Sequence, residues 1–189
     1  MEPTKPILFN TEMVKAILEG RKTHTRRIVK PQPEWDGISA HYISKYDCGH
    51  SNWPICPGDI LYVRETWCRD AGRFMYRANY ADGEKFYRDG MELSICWTPS
   101  IHMPKEAARI FLRVKDVRIE LLQDMDEEAA IAEGFVDSPA GTGSPLMRFV
   151  ELWDKTIKRD DLREYGYHAN PWVWVIEFER IEKPEGWCR

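Results

Sequence analysis

Arg109-Ile-Phe-Leu-Arg-Val-Lys-Asp-Val-Arg-Ile-Glu-Leu-Leu122 is the longest strand candidate in the chain, and its apolar residues change parity partway along. Ile110, Leu112 and Val114 occupy even positions, whereas Val117, Ile119 and Leu121 occupy odd ones. Side chains alternate strictly across a strand, so the change requires a bulge near Lys115-Asp116. Long bent strands turn the corners of small barrels, and the expected fold is α+β, with a closed or half-closed β-barrel.

Working outward, Pro6-Ile-Leu-Phe9 reads as a short strand, and Asn10 or Thr11 can cap a helix carrying Met13, Val14, Ile17 and Leu18, ended by Gly20. After Pro57-Gly58-Asp59, residues 60–67 form a strand with Leu61, Val63, Glu65 and Trp67 on one side. Phe74–Tyr80 is a further strand, and the segment from Trp97 to Pro104 a fixed loop. Asp124–Glu128 opens a second helix that Gly134 closes, and Ser144-Pro145 starts a third with Leu146, Phe149, Val150, Trp153 and Ile157 in one stripe. Trp172–Phe178, apolar on both faces, reads as a central strand. About three helices therefore flank the barrel. A single domain over 1–189 is expected, with loop-rich insertions near 30–57 and 68–108.

The 189 residues are 43% apolar and carry a net charge of -4, which disfavours long-DNA or long-RNA binding by phosphate neutralisation and favours a small ligand or a local basic patch. The N-terminus has no signal-peptide core and no run approaches a membrane span, so a cytoplasmic protein without membrane association is expected. Five cysteines without repeated spacing argue against a disulfide framework. Cys48, His50 and Cys56 have zinc-like character but lack an evident fourth ligand, so neither metal nor cofactor is expected.

Chemistry concentrates between Arg21 and Lys30, where Arg21, Lys22, Arg26, Arg27 and Lys30 stand with no acid, just after a helix. Clustered cations and burial both lower a lysine pKa, which suits Lys22 to act as a base. Thr25 lies three residues on, so cooperation with Lys22 requires a turn or bulge at Thr23-His24. The plain alternative is a solvated basic face meeting the helix dipole. Glu133, at a helix C-terminus, is either answered by a cation such as Lys22 or a neighbouring arginine or is an exposed residue at a frayed end. Glu65 on its apolar face, beside Arg64, is either a site residue or half of a buried ion pair. Trp67 and Trp97 are stacking candidates for a base, with core packing as the alternative.

The order Ile17-Leu-Glu-Gly-Arg-Lys-Thr-His-Thr25, Pro57-Gly-Asp59 and Glu128-Ala-Ala-Ile-Ala-Glu-Gly134 resembles the ASCH family. Arg64-Glu-Thr-Trp67, the Trp97–Pro104 loop and Asn170-Pro-Trp-Val-Trp174 are similar to ASCH proteins of phages and prophages. The resemblance implies a PUA-like β-barrel and an association with RNA or modified nucleosides. In its best understood branch it implies amide hydrolysis of N4-acetylcytidine by a lysine, a threonine and a glutamate, which match Lys22, Thr25 and Glu133. Arg21, Arg26, Arg27, Glu65, Trp67 and Trp97 are then the expected substrate-binding residues. The partner is a nucleoside or short RNA. Non-catalytic RNA or nucleoside binding and ribonuclease action are the competing expectations, and the insertions separate this chain from the minimal enzymes.

Overall fold

The computed structural model describes residues 4–33, 55–136 and 143–187. In chain order the regular elements are β1 (Thr4–Leu8), α1 (Thr11–Leu18), β2 (His24–Ile28), β3 (Ile60–Arg64), β4 (Trp67–Asp70), β5 (Arg73–Tyr76), β6 (Phe86–Arg88) and β7 (Met91–Leu93). They continue with β8 (Phe111–Leu121), α2 (Glu127–Ala132), α3 (Pro145–Thr156), α4 (Leu162–Tyr165) and β9 (Trp172–Ile181). Side-chain caps set the helix starts. Asn10 Oδ1 accepts from Met13 N at 2.8 Å, Asp126 Oδ1 from Ala129 N at 2.8 Å, and Ser144 Oγ from Met147 N at 3.3 Å.

The main sheet runs β1-β3-β8-β9-β2, with β1 parallel to β3 and the remaining pairs antiparallel. β8 and β9 pair from Phe111↔Ile181 to Leu121↔Trp172, and their register shifts between Val114 and Asp116. The parity change at Lys115 is therefore a real bulge. The barrel expectation is corrected: among the described residues the sheet is open, with β1 and β2 as unjoined edges. Closure requires every strand to have two neighbours. Here helices cover the apolar faces instead.

β9 shows this division residue by residue. Trp174, Ile176 and Phe178 join Val14 and Ile17 of α1 in one buried cluster with Leu61, Leu112 and Val117. Val173 and Val175, on the opposite face, meet Phe149 and Trp153 of α3 together with Leu122 and Phe135. A strand buried on both faces reads as a continuous apolar run, as Trp172–Phe178 does.

Two further readings change. The strand expected over 60–67 stops at Arg64, because Glu65 leaves the sheet: its amide donates to Met103 Sδ at 3.1 Å and its carboxylate turns to Arg109. Trp67 then begins a separate hairpin with Arg73–Tyr76, so the strand expected over Phe74–Tyr80 is shorter and passes into a 3-10 turn at Arg77–Asn79. The hairpin of β6 and β7 turns through Asp89 (φ 51°) and Gly90 (φ 79°), the positive angles of a two-residue hairpin turn. Four α-helices occur among the described residues, one more than expected, the extra being the single turn of α4. No described helix is long and apolar enough to cross a membrane.

Candidate functional site

Gly20, at φ 76°, ends α1, and the amides of Arg21 and Lys22 both donate to Ala16 O at 2.9 and 3.1 Å. This folds the chain back under the helix. Thr23 N then donates to Ala132 O at 2.8 Å, tying the segment to the last turn of α2. The irregular backbone needed for Lys22 and Thr25 to share a site lies at Gly20–Thr23, just before the expected position, since His24 already opens β2. Gly134 permits the approach of α2: a Cβ there would lie 2.8 Å from Ala16 Cβ and 3.0 Å from Lys22 Cβ.

Lys22 is 3% exposed, and its Nζ donates to Glu133 Oε2 at 2.5 Å and to the Glu133 carbonyl at 2.8 Å. One ammonium thus answers both the carboxylate and the unpaired carbonyl pole of α2. Burial holds the Lys22 pKa below its ordinary value, Arg27 and Arg26 add to the depression, and Glu133 opposes it. Glu133 Oε1 accepts from Arg26 Nη1 at 3.3 Å. Arg26 Nη2 reaches Glu120 Oε2 at 3.2 Å, and Glu120 Oε1 accepts from Arg118 Nε at 2.5 Å. Charges of alternating sign therefore run Lys22, Glu133, Arg26, Glu120, Arg118. Arg26 Nε is buried with no partner.

Lys22, Thr25, Arg26, Arg27 and Glu133 line one cavity of about 370 Å³. That size is in the range of small-molecule sites. Thr25 is buried at 2% exposure. Phe9 forms part of the wall, its ring centroid 5.5 Å from Lys22 Nζ and 5.3 Å from Arg27 Cζ. Arg27 is fixed by donation from Nη2 to Leu8 O at 2.8 Å. Met13, Phe135, Phe149, Leu152 and Trp153 supply apolar surface, and Pro99 and Ser100 bring the Trp97–Pro104 loop to the rim.

Other expected site residues lie elsewhere. Arg21 pairs with Glu19 at 2.5 Å, donates to Gly134 O at 2.5 Å, and lines an adjoining groove. Glu65 is held by Arg109 through two hydrogen bonds of 2.8 and 2.9 Å, while the Arg109 guanidinium stacks 4.0 Å from the Tyr76 ring centroid. Trp67 packs on Phe74 at 5.7 Å, and Trp97 sits among Tyr80 and Phe86 over a separate hollow. None of these four lines the Lys22 cavity. Cys48 and His50 lie outside the described residues. Cys56 is disulfide-bonded, against the expectation from cysteine spacing, whereas Cys68 and Cys96 are free.

Sequence reasoning missed Glu120 and Arg118, which carry no signal beyond alternation on β8. It also read Phe149 and Trp153 as core alone. Their helical stripe could equally have marked a cavity wall.

The chain is thus an α+β protein whose open sheet and helices hold a buried lysine–glutamate pair in a ligand-sized cavity that a threonine also lines. No protein-family model matches the sequence, and no curated protein matches it either. Among solved structures it is similar to a hypothetical protein at 14% identity, covering 95% of this chain and 100% of that one, with a TM-score of 0.42. It is also similar to a DUF984 protein from Enterococcus faecalis V583 at 11% identity, covering 98% and 84%, with a TM-score of 0.47. A third similar structure is an ASCH domain from Lactobacillus crispatus JV V101 at 13% identity, covering 95% and 80%, with a TM-score of 0.46.

Proposed function

We propose that the protein is an ASCH-type amidohydrolase that removes an acyl group from the exocyclic amine of a modified cytidine such as N4-acetylcytidine. The observation that carries this reading is the buried Lys22–Glu133 contact in the cavity that Thr25 also lines. A threonine hydroxyl becomes a nucleophile only beside a base, and a lysine becomes a base when its pKa is depressed. Burial depresses that of Lys22.

In this mechanism neutral Lys22 Nζ takes the proton of Thr25 Oγ1 as the oxygen bonds to the acyl carbon. The tetrahedral intermediate then collapses, the carbon–nitrogen bond breaks, and Glu133 relays the proton from Lys22 to the departing cytosine amine. Water attacks the Thr25 ester, its proton returning through Lys22, and acetate leaves. Arg26 holds Glu133 Oε1, so that Oε2 stays directed at Lys22. Arg27 on the Phe9 wall contributes positive charge near the developing oxyanion.

The test is incubation with N4-acetylcytidine, following cytidine release by wild type, Thr25→Ala, Lys22→Ala and Glu133→Gln. Each variant is expected to lose at least ~100-fold in kcat. Wild-type inactivity across a panel of N4-acylated nucleosides would sink the proposal, and full activity in Thr25→Ala would remove the nucleophile.

One observation favours a second reading. Lys22 Nζ is engaged twice by Glu133, as in a stable structural ion pair. In that case the cavity holds a modified nucleoside or RNA end without reacting, and binding of N4-acetylcytidine persists without turnover.

A further inference from the structure

The cavity does not end at its own rim. Asn10, Met13, Phe135 and Leu152 line both it and a second hollow of about 320 Å³ that continues outward between α1 and α3. The floor of this outer groove is Gly134-Phe135-Val136, the segment directly after Glu133.

Two arginines are pinned to that floor. Arg21 Nη1 donates to Gly134 O and Arg148 Nη1 to Val136 O at 2.7 Å, which fixes each guanidinium by one N–H. Their charge balance differs. Arg21 is neutralised by Glu19, Glu12 by Lys15 at 3.0 Å, and Lys155 lies 3.9 Å from Glu151. Arg148 has no carboxylate partner among the described residues. An anchored guanidinium with free N–H groups and no counter-charge is built for a planar or tetrahedral oxyanion.

We infer that Arg148 in the outer groove is a phosphate subsite, and that the ligand is a nucleotide whose acylated base enters the inner cavity while its phosphate rests in the groove. The inference rests on the base-binding reading proposed above and names the substrate class more narrowly. A phosphate on the 5′ side can belong to a mononucleotide or to the linkage of a short RNA. The chemistry recognised by Arg148 is the same.

The experiment compares KM for N4-acetylcytidine, its 5′-monophosphate, and a dinucleotide carrying N4-acetylcytidine at its 3′ position. Wild type is expected to show a KM lower by roughly tenfold for at least one phosphate-bearing substrate, consistent with one charge-assisted contact. Arg148→Ala should bring the nucleoside-to-nucleotide ratio towards one, and Arg148→Lys should restore part of it. A gain for the mononucleotide alone assigns the subsite to a free nucleotide, and a gain for the dinucleotide assigns it to RNA. Equal KM values for all three overturn the phosphate subsite while leaving the hydrolase reading intact. If nothing is hydrolysed, calorimetric binding of cytidine 5′-monophosphate against cytidine decides the same question. Tighter nucleotide binding lost in Arg148→Ala supports the subsite, and equal affinities overturn it.

Discussion

Lys22 Nζ lies 2.5 Å from Glu133 Oε2, with the two side chains 1% and 5% exposed, so a close lysine–carboxylate contact is enclosed between α1, α2 and β2. Removing Glu133 strands Lys22 without a carboxylate, whereas removing Lys22 leaves Glu133 paired with Arg26 alone at 3.3 Å. Glu133→Leu is expected to cost about 3–5 kcal/mol in urea unfolding, and Lys22→Met less, because Glu133 keeps Arg26. The double variant should be less destabilised than the sum of the two singles, because neither member of the pair is then left without the other and Arg26 keeps Glu120. Additive losses would contradict a coupled pair.

The same burial makes Lys22 pH-sensitive. Its folded-state pKa is depressed, chiefly by burial, below the 10.5 of the unfolded chain. Between these values the unfolded chain binds more protons, so the Lys22 contribution to stability rises with pH. Below the folded pKa its cost is complete, and above 10.5 it has vanished. The unfolding free energy of wild type should therefore gain on that of Lys22→Met as pH is raised towards 10.5. If Lys22 is the base, kcat/KM should climb with pH along a limb centred below 10.5, and Lys22→Arg should lose that limb.

How much of this was readable beforehand depends on range. The Lys115 bulge, the Ser144 cap, a cap at Asn10 or Thr11 that the structure places on Asn10, and the two-faced burial of Trp172–Phe178 are local consequences of periodicity and capping chemistry. A cation for Glu133 was one of two readings open in the sequence, and both Lys22 and Arg26 supply it. Sheet closure was not, because whether β1 and β2 pair depends on non-local geometry that alternation does not encode. Glu65 shows the same limit. Its apolar face pointed to a paired carboxylate, yet the partner is Arg109, 44 residues away, rather than the adjacent Arg64.

Glu65 and Arg109 yield a separate prediction. Glu65 is 1% exposed and both its oxygens accept from one guanidinium, which also donates to Asn79 Oδ1 at 2.8 Å. Glu65→Ala should cost about 3–5 kcal/mol by leaving the cation unpaired, and Glu65→Gln less. The loss should register in unfolding free energy rather than in KM. A change in KM with unaltered stability would move Glu65 to the ligand.

Gly134 and Gly20 separate backbone strain from close approach. Both have positive φ, 97° and 76°, so a side chain is strained at either position. At Gly20 a new Cβ would meet nothing within 4 Å, and Gly20→Ala should cost only about 1–2 kcal/mol, the conformational part. At Gly134 it would stand 2.8 Å from Ala16 Cβ and 3.0 Å from Lys22 Cβ, and the end of α2 has to move. Gly134→Ala is therefore expected to cost about 2–4 kcal/mol. Because the second crowded atom, after Ala16 Cβ, belongs to Lys22, the Nζ contact with Glu133 should lengthen, and turnover should fall well beyond the effect of Gly20→Ala. Equal losses in the two variants, in stability and in turnover, would show that the helix end does not hold Lys22 in place.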